Sequence, residues 1–331
     1  MYNIKIEKLV NKLDLGENIL LLEEISGGLL HRMFCVETTR GKFAIKALNP
    51  EVMQRNGVFE HYKLSEKISV LSRENGVKAI CANVYNNEII HNIEGQYYMV
   101  FPWVDGKIQM KEELNKARSA KIGEILAKIH LMNTERIRVK DVNKIKTLNI
   151  DWIYYTEKAQ KINKIWKNIL NDNLDFLKDI SELVNQANGV LYNNRCLSHR
   201  DLDKKNVIWN RNEPMLIDWE AGGLINPTVE LLEVALYWSE GSEYKHSKEC
   251  FNNFICSYSD SGGRIEPYFK EALFGILRGK LEWLEYNLKR ALSIDVIGDE
   301  NLGIQEVIST IIEIKNFYNE IPKILGWLTC C

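Results

Sequence analysis

The chain has 331 residues, of which 45% are hydrophobic and 27% are charged, and its formal net charge at pH 7 is -2. This composition is typical of globular proteins, and the length is sufficient for two lobes with substantial cores. The near-neutral charge gives no indication of binding to nucleic acid or to an anionic membrane, and the sequence shows no membrane-length apolar run and no signal-peptide pattern. We therefore predict a cytoplasmic protein, monomeric or dimeric, that binds neither nucleic acid nor membrane.

Cysteine usage supports the same compartment. The sequence has seven cysteines, with no CxxC pair and no cluster of cysteine with histidine. This pattern predicts neither a disulfide framework nor a zinc site, and reduced thiols are its simplest interpretation.

The first hundred residues alternate short apolar runs with turn residues, which predicts a small antiparallel sheet that carries one main helix. A short amphipathic helix is predicted at 4–13 and the main helix at 58–74. The predicted strands are 19–25, 33–38, 42–48, 84–85, 88–92 and 96–101.

After the segment FPWVDG, residues 101–106, the pattern becomes mostly helical. The predicted helices are 111–131, 151–170, 174–188, 229–239, 246–259, 266–293 and 303–326. A sheet lobe followed by a helical lobe is an α+β layout. We predict lobes at residues 1–103 and 104–331, with a hinge at about 99–106.

The segment LSHRDLDKKNVIWNRNEPMLIDWEAGG, residues 197–223, carries the most specific pattern in the sequence. Two apolar runs with a turn at 212–214 predict a hairpin that brings Asn206 and Asp218 to the same end. Magnesium prefers carboxylate and amide oxygens, and phosphoryl transfer needs a carboxylate, here Asp201, to orient the attacking hydroxyl. We therefore predict a site for a metal and a nucleotide. The plainer alternative is a hairpin capped by polar turn residues.

HRDxxxxN followed by IDWE resembles the aminoglycoside phosphotransferase and choline kinase-like family, a branch of the protein-kinase-like fold. The resemblance covers residues from about 20 to about 240. It implies a bilobal kinase-like fold, ATP or GTP as donor and Mg²⁺ as cofactor. It also implies that Asp201 is the catalytic base, that Asn206 and Asp218 bind the metal, and that His199 holds the loop backbone. Glu220 either adds a supporting contact or is an ordinary surface carboxylate.

The lysine strand of the family has a counterpart in FAIKAL, which places Lys46 in the third strand. The resemblance implies that Lys46 contacts the nucleotide phosphates and pairs with a glutamate of the following helix. Glu66 fits the spacing of that glutamate, and Glu60 is the alternative.

Two further segments match the nucleotide-binding part of the family. The first hairpin contains Ser26, Gly27 and Gly28, whose backbone N–H groups would approach the phosphates. MVFPWVDGK, residues 99–107, resembles the hinge, so the backbone from Phe101 to Trp103 would meet the adenine edge.

The acceptor is predicted to be a small molecule with a hydroxyl group, because the chain has IDWEAGG in place of DFG and lacks an APE element. Residues 228–300 contain 13 acidic and 8 basic residues, which suits a cationic acceptor, although an ordinary solvated helical surface accounts for most of these residues. Glu282 and Glu285 are the candidate substrate contacts. An aminoglycoside-type antibiotic is the first candidate, and choline, homoserine or methylthioribose is the alternative. A non-catalytic member, similar to the spore-coat proteins of the family, is the hypothesis of a different class.

Overall fold

The structure is a computed structural model that describes residues 2–25, 30–110, 112–137, 147–162, 164–242, 245–294 and 300–328. Within those ranges every helix is too short or too polar to span a lipid bilayer. The predicted phosphate-loop residues Ser26, Gly27 and Gly28 lie outside the described residues.

The backbone divides into two compact units. The first comprises residues 1–113, 128–139 and 197–223, and the second comprises residues 114–127, 140–196 and 224–331. The hairpin segment at 197–223 therefore belongs to the same unit as the N-terminal residues. The lobe boundary near residue 103 is a different division of the chain and stays a prediction.

The first unit contains a five-stranded antiparallel sheet in the order β1-β2-β3-β5-β4. Its strands are β1 (Ile19–Ile25), β2 (Arg32–Thr38), β3 (Gly41–Ala47), β4 (His91–Ile93) and β5 (Gln96–Pro102). Its helices are α1 (Ile6–Lys12) and α2 (Val58–Glu74). The predicted strand at 84–85 is only an isolated bridge between Tyr85 and Glu88.

Each face of this sheet packs against one helix, because side chains alternate along a strand. Ile45 of β3 is buried in a cluster with Leu9 of α1. Leu48, just after β3, is buried in a second cluster with Tyr62 of α2. Lys46 alternates with Ile45 and therefore lies on the α2 face of the sheet, as its flanking apolar residues predict.

A second sheet in the first unit has the order β6-β8-β9. Its strands are β6 (Lys107–Ile108), β8 (Val207–Asn210) and β9 (Glu213–Leu216). The predicted turn at 212–214 is wrong by about two residues, because Pro214 pairs with Trp209 inside the hairpin. Pro214 is tolerated there because β9 is an edge strand, where a missing N–H costs no ladder bond.

The second unit is mostly helical, and its long helix α9 packs against α6, α7 and α10. The helices are α3 (Lys116–His130), α4 (Trp152–Ile162), α5 (Lys164–Asp172), α6 (Leu174–Leu191), α7 (Pro227–Ser239), α8 (Lys248–Asp260), α9 (Phe269–Ala291) and α10 (Glu300–Leu328). Two short strands, β7 (Cys196–Ser198) and β10 (Gly223–Ile225), lie at the crossings between the units. The predicted helix 151–170 corresponds to α4 and α5, which lie on either side of residue 163, a position outside the described residues. The α+β class with an antiparallel N-terminal sheet and a helical C-terminal part is confirmed.

Candidate active site

The β8–β9 hairpin brings Asn206 and Asp218 to one end, as the sequence predicts. Val207 pairs with Leu216, and the N–H of Ile217 donates to the carbonyl of Asn206 over 3.0 Å. Asn206 therefore lies opposite Ile217, and Asp218 follows immediately.

Asp201 is joined to Asn206 across the loop that precedes the hairpin. The amide nitrogen of Asn206 donates to the main-chain carbonyl of Asp201 over 2.7 Å and to its carboxylate over 2.9 Å. The ammonium of Lys205 is 3.3 Å from the same carboxylate. Burial raises the pKa of Asp201, although Lys205 and His199 act to lower it.

His199 contacts the backbone of the loop, in the position that the resemblance implies for it. It is fully buried, and its ring lies 4.5 Å from that of Trp219. Its Nε2 bonds to the carbonyl of Ile217 over 3.0 Å, and its Nδ1 accepts the N–H of Asp201 over 3.3 Å. The ring thus fixes the backbone of the loop against the end of the hairpin, and the proton lies on Nε2.

Asp218 adopts a left-handed backbone conformation, with φ 59° and ψ 60°, which aspartate tolerates better than most residues. Its carboxylate is 2.7 Å from the ammonium of Lys46. Glu220, in the short 3-10 turn at Trp219–Ala221, is 2.9 Å from the same ammonium. Burial alone would lower the pKa of Lys46, but the attraction of Asp218 and Glu220 outweighs it and raises the pKa.

Glu66 is buried and has other partners. Its carboxylate accepts the N–H of Ala82 over 2.9 Å and the hydroxyl of Ser69 over 3.2 Å. Burial raises its pKa, although these hydrogen bonds and the charge of Lys46 act in the opposite direction. Glu60, the alternative, is exposed in the first turn of α2. Among the described contacts, Lys46 pairs with Asp218 and Glu220 rather than with either helix glutamate.

The predicted hinge residues continue the β3–β5 ladder. Phe101 pairs with Ala44, and the N–H of Trp103 donates to the carbonyl of Lys42 over 3.2 Å. Lys42 also places its ammonium 4.3 Å from the centre of the Trp103 ring. Phe101 and Trp103 therefore direct their backbone N–H and C=O groups toward β3.

The opposite edge of β5 carries the intervening residues, because backbone groups alternate along an antiparallel strand. The carbonyl of Val100 accepts the N–H of Asn83 over 2.7 Å on this edge. The carbonyl of Pro102, two residues later, points to the same edge. Within the predicted span from Phe101 to Trp103, the register therefore directs the carbonyl of Pro102 away from β3.

The donor set fits a magnesium ion that is completed by phosphate oxygens. The amide nitrogen of Asn206 is directed to Asp201, so its side-chain oxygen is the atom suited to a cation, together with the Asp218 carboxylate. The described part of the chain contains no group of three or more His, Cys, Asp or Glu side chains that could hold a metal by themselves. Magnesium commonly takes one or two protein oxygens and several water or phosphate oxygens, so this sparse set suits it.

The sequence did not identify His31 as part of this cluster, and it did not predict that Glu220 forms an ion pair with Lys46. Glu220 is 3.3 Å from the Nε2 atom of His31, and its main-chain carbonyl is 2.6 Å from the Nε2 atom of His61. The signal for Glu220 was its position two residues after Asp218. No local pattern marks His31, because its partners Asn49, Tyr62 and Glu220 are all distant from it along the chain.

The model of the phosphotransferase enzyme family matches residues 22–245, which is more than half of the chain and includes every residue of this cluster. The chain belongs to this family. No curated protein sequence matches the phosphotransferase.

Solved structures share the fold of this phosphotransferase at low sequence identity. Spectinomycin phosphotransferase APH(9)-Ia in complex with ADP and spectinomycin is 12% identical, with a TM-score of 0.67 over 93% of this chain and 96% of that one. Choline kinase from Cryptosporidium parvum Iowa II is 15% identical, with a TM-score of 0.63 over 98% of both chains. The GDP and kanamycin complex of APH(2")-IIia is 14% identical, with a TM-score of 0.62 over 94% of this chain and 98% of that one.

The predicted acceptor contacts of the phosphotransferase lie on α9 in the second unit. Glu282 is half exposed and pairs with Arg278 over 3.0 Å. Glu285 is more buried, accepts the hydroxyl of Tyr155 over 2.9 Å and lies 2.9 Å from the ammonium of Lys289. Both carboxylates therefore have cationic partners within their own helix.

Proposed function

We propose that this phosphotransferase is a small-molecule kinase that transfers the γ-phosphoryl group of ATP or GTP to a hydroxyl of an aminoglycoside-type antibiotic. The observation that carries the proposal is the cluster of Asp201, Asn206, Asp218 and Lys46. Asn206 hydrogen-bonds to Asp201 over 2.9 Å, and Lys46 lies 2.7 Å from Asp218. The end of the hairpin holds Asn206 next to Asp218. The spectinomycin and kanamycin complexes among the structural neighbours support this choice of acceptor.

Asp201 would orient the acceptor hydroxyl and accept its proton, which is the role phosphoryl transfer leaves to a protein carboxylate. The Asn206 amide restrains the Asp201 carboxylate from one side. Burial, which raises the pKa of Asp201, brings this carboxylate nearer to the basicity that a general base needs at neutral pH.

The donor nucleotide would be held by residues of the same unit. Lys46 would contact its phosphates, and the carbonyl of Pro102 would accept a hydrogen bond from the base. Asn206 and Asp218 would hold Mg²⁺, which when bound neutralises charge on the donor phosphates.

A second candidate acceptor is an amino alcohol of the choline or ethanolamine type. Trp283 and Tyr286 of α9 stack with ring centres 5.5 Å apart, and the indole N–H of Trp283 donates to Glu306 over 3.3 Å. Aromatic faces next to a carboxylate favour a substituted ammonium ion. The choline kinase among the structural neighbours supports this candidate.

The test is release of ADP or GDP in the presence of magnesium, measured with a panel of aminoglycosides, spectinomycin, choline, ethanolamine, homoserine and methylthioribose. We expect one antibiotic to stimulate turnover and Asp201→Asn to abolish the stimulation while leaving the melting-temperature rise with nucleotide intact. Stimulation by choline or ethanolamine alone would select the second candidate. No turnover and no rise in melting temperature with any magnesium-nucleotide would contradict both candidates and favour a non-catalytic member.

A further inference from the structure

Lys46 needs a carboxylate partner that stays available when Asp218 binds another cation. The Lys46 side chain is only 9% exposed, and a buried ammonium without a compensating charge is strongly unfavourable. In the proposed function, which this inference rests on, Asp218 also holds the metal. A second carboxylate near Lys46 would then keep the ammonium paired and oriented for the donor phosphates.

Glu66 does not supply this second carboxylate. Its oxygens are directed to Ala82 and Ser69, so it joins α2 to the segment after it. Glu220 does supply it, at 2.9 Å from the ammonium of Lys46.

Glu220 is itself held by a histidine from the opposite side of the cluster. The Nδ1 atom of His31 accepts the N–H of Asn49 over 2.9 Å, so the ring proton is on Nε2. That Nε2 lies 2.8 Å from the hydroxyl of Tyr62 and 3.3 Å from the Glu220 carboxylate. His31 is 6% exposed, and its contacts with Asn49, Tyr62 and Glu220 fix the orientation of its ring.

We propose that Glu220 positions Lys46 for the donor phosphates and that His31 positions Glu220. In this chain the acid that orients the lysine then comes from the turn after Asp218, not from α2. His31 and Glu220 are positioning residues in this proposal, because they act through Lys46.

The test is a double-mutant cycle with His31→Phe, Glu220→Gln and the combined variant, in which KM for magnesium-nucleotide, kcat and the magnesium requirement are measured separately. Loss of a charged hydrogen bond predicts a KM for nucleotide raised by about tenfold in Glu220→Gln, and by several-fold in His31→Phe. The combined variant should be no worse than Glu220→Gln, because His31 acts through Glu220. His31→Gln, which keeps a donor, should recover part of the loss.

The matched control is His91→Phe. His91 lies in the same unit, is also 6% exposed, packs edge-on against Tyr85 and has a buried Nε2 with no hydrogen-bond partner among the described atoms. It should leave KM for nucleotide within about twofold. Melting temperatures of all variants separate loss of folding from loss of binding.

Three outcomes would overturn the positioning proposal while leaving the kinase intact. One is additive effects in the cycle, and another is that Glu220→Gln changes neither KM for magnesium-nucleotide nor the magnesium requirement. The third is a raised magnesium requirement in Glu220→Gln with unchanged KM for magnesium-nucleotide, which would assign Glu220 to the metal. By contrast, absence of magnesium-nucleotide binding in the unaltered protein would contradict the proposed function itself, and the positioning proposal with it.

Discussion

The side-chain amide of Asn206 donates to Asp201 twice, over 2.7 Å to its main-chain carbonyl and over 2.9 Å to its carboxylate. One side chain therefore restrains both the backbone and the functional group of the proposed base. The same amide presents its oxygen for the proposed metal. Asn206 thus links the position of the base to the position of the metal.

Asn206→Ala should lower kcat by about a hundredfold or more, because it frees the Asp201 carboxylate and removes a metal ligand together. It should also raise the magnesium concentration needed for half-maximal rate. Steady-state kinetics over a magnesium titration measure both effects. Asn210→Ala, at the exposed end of β8, is the control and should change neither. A loss of kcat with an unchanged magnesium requirement would remove Asn206 from the metal site.

The sequence was sufficient for the parts of the site that lie close together along the chain. Asn206 and Asp218 are joined by a hairpin whose two apolar runs have strand periodicity, so their common end follows from local pattern alone. The bounds of α2 were likewise predictable from helical spacing.

The partners of Lys46 were not predictable in the same way. Two acidic residues, Glu66 on α2 and Glu220 after β9, are both plausible by type, and Glu220 is 174 positions from Lys46. Only the tertiary fold determines that Ser69 and Ala82 donate hydrogen bonds to the Glu66 carboxylate. His31 was missed for the same reason, because its contact with Glu220 is made across two elements. The motif predicted the span from Phe101 to Trp103 for the hinge, and only the strand register shows which backbone groups within that span face away from β3.

The position of Glu66 predicts a specific pH dependence of stability. Burial raises its pKa above the ordinary value of 4.5, so the folded state binds this proton more tightly than the unfolded state does. Its contribution to stability is present below the ordinary value and is lost as the pH rises through the folded-state pKa. Glu66→Gln does not titrate, so its melting temperature relative to the unaltered protein should increase between pH 4.5 and neutral pH.

Thermal unfolding of both proteins across that pH range measures the difference. Glu74→Gln, an exposed position on the same helix, should show no such trend. The opposite slope would mean that the folded-state pKa of Glu66 is lowered, as a direct ion pair with Lys46 would cause.

Glu282 and Glu285, the two predicted acceptor contacts, differ in how far their side chains are exposed. Glu285 is one-quarter exposed and is held by Tyr155 and Lys289, whereas Glu282 is half exposed and pairs with Arg278 on the surface. A cationic acceptor gains more from the partly buried carboxylate, because surface ion pairs contribute little. Glu285→Gln should raise KM for the acceptor by about fivefold to tenfold, and Glu282→Gln should leave it within about twofold.

Acceptor kinetics at saturating nucleotide measure these constants. An unchanged KM in both variants would remove α9 carboxylates from the acceptor site. An equal rise in both would indicate a general effect of negative charge instead of a contact.

We expect Asp218 to determine how strongly nucleotide binding depends on magnesium. The described residues offer few oxygens beside it, so Asp218→Asn should raise the magnesium concentration needed for half-maximal activity by about tenfold or more. The nucleotide-dependent rise in melting temperature should disappear with EDTA in the unaltered protein and should be small in Asp218→Asn at low magnesium. Lys46 keeps Glu220 as a partner in this variant, which limits the loss of folding stability.

Asp203→Asn is the matched control, because Asp203 caps the turn through the N–H of Lys204 and asparagine caps equally well. An identical magnesium titration in Asp218→Asn and Asp203→Asn would show that the metal is held elsewhere, and the proposed site would then have to be abandoned.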